Sequence, residues 1–300
     1  MTIFNGRTTH TKLENYVLKS IQLPVESKRI YSECTDEVVR FLHSLSRSPY
    51  FPWRLKEVFK SGSLCKGTAV RGHVDVDLVC FVKHCPERGL ENANAFARLR
   101  KSIIDELERQ FRRQFATFAG YATSQFRIVY TNRFMLNLKL IKLIGRSAFE
   151  AEIDVVLAYD WENDFADQRE LYEFFRENPR LADELSPSMA KLQKEFMVDR
   201  LNVRQNPNLK KLMLLVKYWL KTEVKKHHPA VKFPSYLVEL ICLHTWEKHL
   251  HSLSFDLEIW FIKILEKLVD YPSLHCVWTR FYPAPSTSFA NPLALDPANP

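Results

Sequence analysis

Apolar residues recur at three- and four-residue spacing through "TKLENYVLKSI" and "ESKRIYSECTDEVVRFLHSL", which predicts helices between residues 12 and 46, with Pro24 between them. "DLVCFV" (77–82) is a short β-rich run, and "NANAFARLRKSIIDELERQFRRQF" (92–115) has the periodicity of a strongly amphipathic helix. "FRIVY", "RFMLNLKLI" and "AEIDVVLAYD" then read as three strands ending at Asp160. Beyond them the helical period returns over 167–178, 188–202, 208–226, 234–249 and 255–270. Helices, then a helix-decorated sheet, then helices alone: this order predicts an α+β protein of two lobes, residues 1–160 and 161–300, with a cleft between them.

Composition changes this picture little. With 46% hydrophobic and 13% aromatic residues, the 300-residue chain has enough apolar surface for one large core or two lobes. It carries no internal repeat. No apolar run approaches the roughly 20 residues that cross a bilayer, and "MTIFNGRTTHTKLENY" lacks the basic and then apolar order of a secretory leader. An intracellular protein without a membrane anchor is expected. Its six cysteines form no CxxC pair, which fits reduced, mostly packed thiols better than a disulfide framework or a zinc knuckle; His84-Cys85 is too small a fragment for a structural zinc site.

Charge adds more. Between Lys191 and Lys232 eleven Lys or Arg face three acidic residues, a surplus equal to the +8 of the whole chain. Such a run is either a solvated helical face or a phosphate-binding surface, and the charge alone does not choose.

The candidate chemistry lies in "FKSGSLCKGTAVRGHVDVDLVCFV" (59–82), which holds Gly62, Gly67 and Gly72, three of only seven glycines. A Gly62-Ser63 turn lets backbone N–H groups and a hydroxyl approach a polyphosphate closely, because no Cβ intervenes. A Walker A loop is excluded, since Lys66 precedes Gly67 where that motif has the lysine after its glycine. Asp75 and Asp77, two residues apart, share one face of a strand and offer hard oxygen donors to a cation. Asp154 lies inside an otherwise apolar strand, where a charge is costly unless compensated. If that strand runs beside 77–82, the three carboxylates form a set able to hold two Mg²⁺ for phosphoryl chemistry; the bland alternative is a turn cap at Asp75 and Asp77 and a structural aspartate at 154.

The segment "SGSLCKGTAVRGHVDVDLVCFV" resembles the catalytic signature of the 2′-5′-oligoadenylate synthase family, within the polymerase-β-like nucleotidyltransferases, and further segments follow in register. "AEIDVVLAYD" is similar to the family's third-carboxylate strand, "LVKYWLK" to its ATP-binding helix, "FPSYLVELICLHTWE" to the helix after it, and "LALDPANP" to its closing motif, so the likeness spans about Lys12 to Pro300. The resemblance implies a nucleotidyltransferase lobe with a mixed sheet, a helical second lobe, and ATP and two Mg²⁺ as substrate and cofactor. It assigns the metals and catalysis to Asp75, Asp77 and Asp154. It places Ser63 and Lys217 on the triphosphate, Lys66 near acceptor phosphates, and Ser235 and Tyr236 beside the nucleotide. Double-stranded RNA is the implied activator, over a basic face of Lys28, Arg29, Arg54, Lys56, Lys60, Lys194, Arg200 and Arg204. Cytoplasmic antiviral signalling follows, with the nucleus as a second compartment.

The sequence departs from the family where Leu214 replaces an arginine, Ser235 a glutamine, and Val198 a position that is basic in some relatives. It also stops directly after "DPANP", where family members continue, so a shortened C-terminus is expected. Three readings stay open: a synthase of linear 2′-5′-oligoadenylates, an enzyme like the cyclic GMP-AMP synthase-like receptors that makes a cyclic dinucleotide, and a silent RNA-binding module.

Overall fold

In the computed structural model, helix α1 (Val25–Arg47) turns Cys34, Val38, Leu42 and Leu45 inward at helical spacing. The structure describes residues 10–83, 90–117, 124–144, 147–162, 164–200, 206–231, 233–249, 254–279 and 292–296. Strand β1 (Arg54–Ser61) leads through a helical turn at Gly62–Lys66 towards β2 (Asp75–Lys83). Then come α2 (Leu90–Thr117), β3 (Ser124–Thr131), β4 (Met135–Ile144) and β5 (Ser147–Tyr159). The five strands form one mixed sheet in the order β1-β2-β5-β4-β3, in which only the β2–β5 pair is parallel.

Burial follows this order. β2 and β5 are central, and from Leu78 to Val82 β2 is buried without alternation, as expected of a strand covered on both faces. In β5, Ile153, Val155 and Leu157 point to one face and are fully buried, while Glu152 and Asp154 point to the other and keep solvent contact. On this second face Val79, Phe81 and Ala158 are covered by Ala190. Towards Asp75 and Glu152, at the other end of the strands, the face is open to solvent.

Two compact units emerge. One comprises residues 25–65 and 74–192 and contains the sheet, α1, α2 and α3 (Gln168–Glu177), whose first turn is capped by the Asp167 carboxylate accepting from the N–H groups of Arg169 and Glu170. The other comprises residues 1–24, 66–73 and 193–300. The expected division near residue 160 was a single cut; the units instead interleave along the chain, with residues 161–192 in the sheet unit and 66–73 in the other.

The second unit is built on α4 (Pro207–Trp219), α5 (Ser235–Lys248) and α6 (Leu257–Val269). Asn206 caps α4 by accepting from the Leu209 N–H, with Pro207 at the first helical position, and Asp256 caps α6. α4 is buried at Leu209 and from Leu212 through Lys217, so it has no solvent stripe and forms the centre of the unit. Leu13, Val17 and Ile21 from the N-terminal segment join Trp260, Phe261 and Ile264 in the same core. Among the described residues no helix is long and apolar enough to cross a membrane.

Candidate active site

Register determines which carboxylates meet. Asp77 pairs with Asp154 across the parallel β2–β5 ladder, and Asn137 pairs with Asp154 across the antiparallel β4–β5 ladder, so one row of the sheet reads Asp77, Asp154, Asn137. Asp75 lies two residues back on the same face, opposite Glu152. Burial raises the pKa of Asp154, Asn137 lowers it by hydrogen bonding, and the charges of Asp75 and Glu152 raise it further, leaving it above the ordinary aspartate value. Asn137 Nδ2 donates to Asp154 Oδ1 at 2.5 Å.

The Gly62 turn packs onto this row. Its φ is +72°, in the left-handed region, and a Cβ built at Gly62 would fall 1.7 Å from Asp77 Oδ2. Only glycine fits. The turn therefore lies against the Asp77 carboxylate, with Ser63 as its next residue.

The donor set suits a hard divalent cation, because it is all oxygen, carries excess negative charge on an open face, and is flanked by a cradle that a Cβ would fill. Among the described residues, however, no three His, Cys, Asp or Glu side chains are gathered as a ready-made metal cluster. Asp75, Asp77 and Asp154 share a face without converging on one point.

In the helical unit the structure places Lys217, Lys66 and Thr68 around one acid that sequence reasoning missed, Glu239 on α5. Lys217 Nζ donates to Glu239 Oε1 at 2.8 Å and to the Thr68 carbonyl at 2.9 Å, while Lys66 Nζ donates to Glu239 Oε2 at 2.5 Å. Thr68 Oγ1 donates to Glu239 Oε1 at 2.6 Å. Lys217 and Glu239 are 2% and 1% exposed. Burial raises the Glu239 pKa, but Lys66 and Lys217 outweigh it and hold the carboxyl at about 2. Two ammonium groups against one carboxylate leave a net positive charge on the cluster. A glutamate inside "FPSYLVELICLHTWE", a run otherwise almost free of charge, was the available signal.

Tyr236 joins this cluster. Lys66 Nζ lies 4.7 Å from its ring centre, and its hydroxyl donates to Asp296 Oδ1 at 2.9 Å, with Gln193 Nε2 donating to the other oxygen of Asp296 at 2.8 Å. Ser235 opens α5. Leu214 and Val198 are core residues, 1% and 3% exposed, so neither departure presents a side chain to a ligand.

The candidate RNA contacts are partly occupied by carboxylates. Lys56 pairs with Asp160 and Glu162, Lys60 with Asp36, and Arg29 with Glu26 and Glu33. Arg54 is exposed and Lys28 half-buried, while Lys194 lies in the short helix Ala190–Lys194. Arg204 and the side chain of Arg200 lie outside the described residues, as does the His84-Cys85 pair.

Comparison with known proteins gives a consistent result. Residues 166–300 match the family model of 2′-5′-oligoadenylate synthetase 1, domain 2, C-terminus. The chain is 28% identical over 271 residues to 2′-5′-oligoadenylate synthase 1A of Mus musculus, covering 83% of this chain and 69% of the relative. The corresponding Rattus norvegicus protein is 29% identical over 282 residues, covering 85% and 72%. For 2′-5′-oligoadenylate synthase 2 of Mus musculus the identity is 26% over 266 residues, covering 82% of this chain and 34% of that one, so the chain spans about a third of that relative's length. Among solved structures, CdnC of E. coli MS115-1 with ATP matches with a TM-score of 0.60 at 19% identity, over 98% of this chain and 83% of that chain. The same protein in its complex with HORMA-deltaN matches with a TM-score of 0.57 at 19% identity, over 97% and 82%. The chain therefore shares the mixed α+β fold of CdnC.

Proposed function

We propose that this chain, which is similar to the 2′-5′-oligoadenylate synthases, is a nucleotidyltransferase of cytoplasmic antiviral signalling that joins ATP into 2′-5′-linked oligoadenylates under the control of double-stranded RNA. The observation that carries the reading is the row Asp77–Asp154 with Asp75 on the same open face, against a turn that admits only glycine. Asp75, Asp77 and Asp154 would hold Mg²⁺. Divalent cations at such a site supply charge neutralisation on the phosphates and acidify the attacking hydroxyl.

The remaining chemistry falls to the chain's own groups. Asp154, with its raised pKa, takes the proton of the acceptor 2′-hydroxyl as that oxygen bonds to the donor α-phosphorus. The α,β phosphoanhydride bond breaks and pyrophosphate leaves. Ser63 and the N–H groups of its turn bind phosphate oxygens. In the helical unit, the net positive charge of the Lys217, Lys66 and Glu239 cluster suits phosphate, in line with the triphosphate role that the resemblance implies for Lys217 and the acceptor-phosphate role it implies for Lys66. A cyclic dinucleotide is the second reading, left open by the core that the sequence motifs share with the cyclic GMP-AMP synthase-like receptors.

The test is synthesis from mixed nucleoside triphosphates with Mg²⁺ and RNA, with products identified by mass and by resistance to 3′-5′-specific nuclease. Asp75→Asn, Asp77→Asn and Asp154→Asn should each abolish product while leaving the fold intact, since each removes a charge at nearly constant volume. Persistent synthesis by the Asp77 variant sinks the mechanism, and a cyclic product replaces the linear reading.

A further inference from the structure

Asn137 is a misfit in its strand. Leu136, Leu138 and Leu140 on β4 are fully buried on the core face, whereas Asn137 points to the other face and is nevertheless only 5% exposed. Its Nδ2 donates to Asp154 Oδ1 at 2.5 Å, and among the described residues its buried Oδ1 has no hydrogen-bond partner. Reversing the amide would set that oxygen against the carboxylate, so the N–H faces Asp154 and the carbonyl takes the loss. A buried acceptor left unmatched destabilises a fold, and a strand of this composition gains nothing structural from an amide there. Polar groups kept at such a cost concentrate at functional sites.

We propose that Asn137 is a positioning residue for Asp154. β5 lies between β4 and β2, so the N–H from the β4 side fixes Oδ1 of Asp154 and leaves Oδ2 for the side on which Asp77 stands. Without that hydrogen bond the carboxylate rotates about its terminal bond, and neither oxygen is kept for a cation or an acceptor hydroxyl. Asn137 touches neither reactant; it acts through Asp154. This inference rests on the nucleotidyltransferase reading and adds to it a residue outside the three aspartates.

The test uses Mn²⁺ as probe, measured by loss of the free-ion paramagnetic resonance signal in the presence of a non-hydrolysable ATP analogue, beside steady-state synthesis. Asn137→Leu should weaken Mn²⁺ binding by about 10- to 100-fold, the range typical of partners that orient metal ligands, and lower kcat similarly with KM for ATP little changed. Asn137→Thr, which restores a donor in a strand-favouring side chain, should recover most of both. In an Asp154→Asn background Asn137→Leu should add nothing, because the two residues act as one unit. Should the leucine variant fail to fold, Asn137→Val carries the same comparison.

Equal Mn²⁺ binding by parent and variant, including no binding by either, overturns the proposal, as does a threonine variant impaired as badly as leucine. An active Asp154→Asn enzyme defeats the catalytic reading itself. An inactive Asp154→Asn with a fully active Asn137→Leu defeats this inference alone.

Discussion

At the scale of single residues, Gly62 and Gly72 provide a paired test. Both have positive φ, +72° and +79°, but a Cβ at Gly62 meets Asp77 Oδ2 at 1.7 Å whereas one at Gly72 meets nothing within 4 Å. Gly72→Ala should therefore cost only the backbone strain of a left-handed alanine, about 1–2 kcal/mol in urea denaturation, and leave synthesis intact. Gly62→Ala should add to that strain the displacement of Asp77 and lose synthesis at least about a hundredfold; equal activity in the two variants would show that the turn has no part in the site. What the sequence displays at this scale follows from how anomalous each residue looks. A carboxylate within "AEIDVVLAYD" stands out because charge in an apolar strand is costly. Asn137 does not, since one amide in "RFMLNLKLI" passes for an ordinary solvent-facing position, and its burial depends on pairing with a strand 17 residues away.

At the scale of elements, the strands rich in β-branched residues were legible, and β1 was not. "RLKEVFKS" reads as an amphipathic run because its pairing with β2 slips between Leu55 and Glu57, which breaks the two-residue period that identifies a half-buried strand. The pair that joins α4 to α5 was half visible, as Lys217 without Glu239. Removing Glu239 should strand the buried Lys217 charge, so Glu239→Gln should destabilise the helical unit by about 3–5 kcal/mol, whereas Lys217→Met leaves Glu239 paired with Lys66 and should cost less, with the double variant less unstable than the sum. Urea denaturation checks this, and strict additivity would refute the coupling. Acid gives a second check. Glu239 sits at about 2 when folded, below its ordinary value of 4.5, so its contribution is complete above pH about 4.5 and fades as the pH falls towards 2. In Glu239→Gln that part of the acid sensitivity should disappear.

For the whole molecule, the +8 surplus is less available than the sequence suggests. Lys191 pairs with Glu57 and Glu162, Lys211 with Glu14, and Lys217 with Glu239, so part of the basic run neutralises the protein's own carboxylates. Pairs such as Lys60–Asp36 at the surface are worth no more than about 1 kcal/mol and yield readily to a polyphosphate. Reversing the charge at Lys60, Lys194 and Arg200 together should weaken binding to double-stranded RNA of roughly 16 base pairs or more, and flatten the plot of log affinity against log salt by up to about 3 units of slope. An unchanged slope would mark the basic run as a solvated face. The interleaving of the two units has a further consequence, for the order in which the chain can fold as it is made. Leu13, Val17 and Ile21 are synthesised ahead of the sheet unit, yet their core partners Trp260, Phe261 and Ile264 come some 240 residues later. At roughly 5–20 residues per second the N-terminal apolar face waits about 10–50 s for its cover on the ribosome. The sheet unit, complete at residue 192, has all its strands in hand long before then. A nascent chain arrested near residue 200 should thus be cut by protease before Pro24 and resist cutting within β1 to β5.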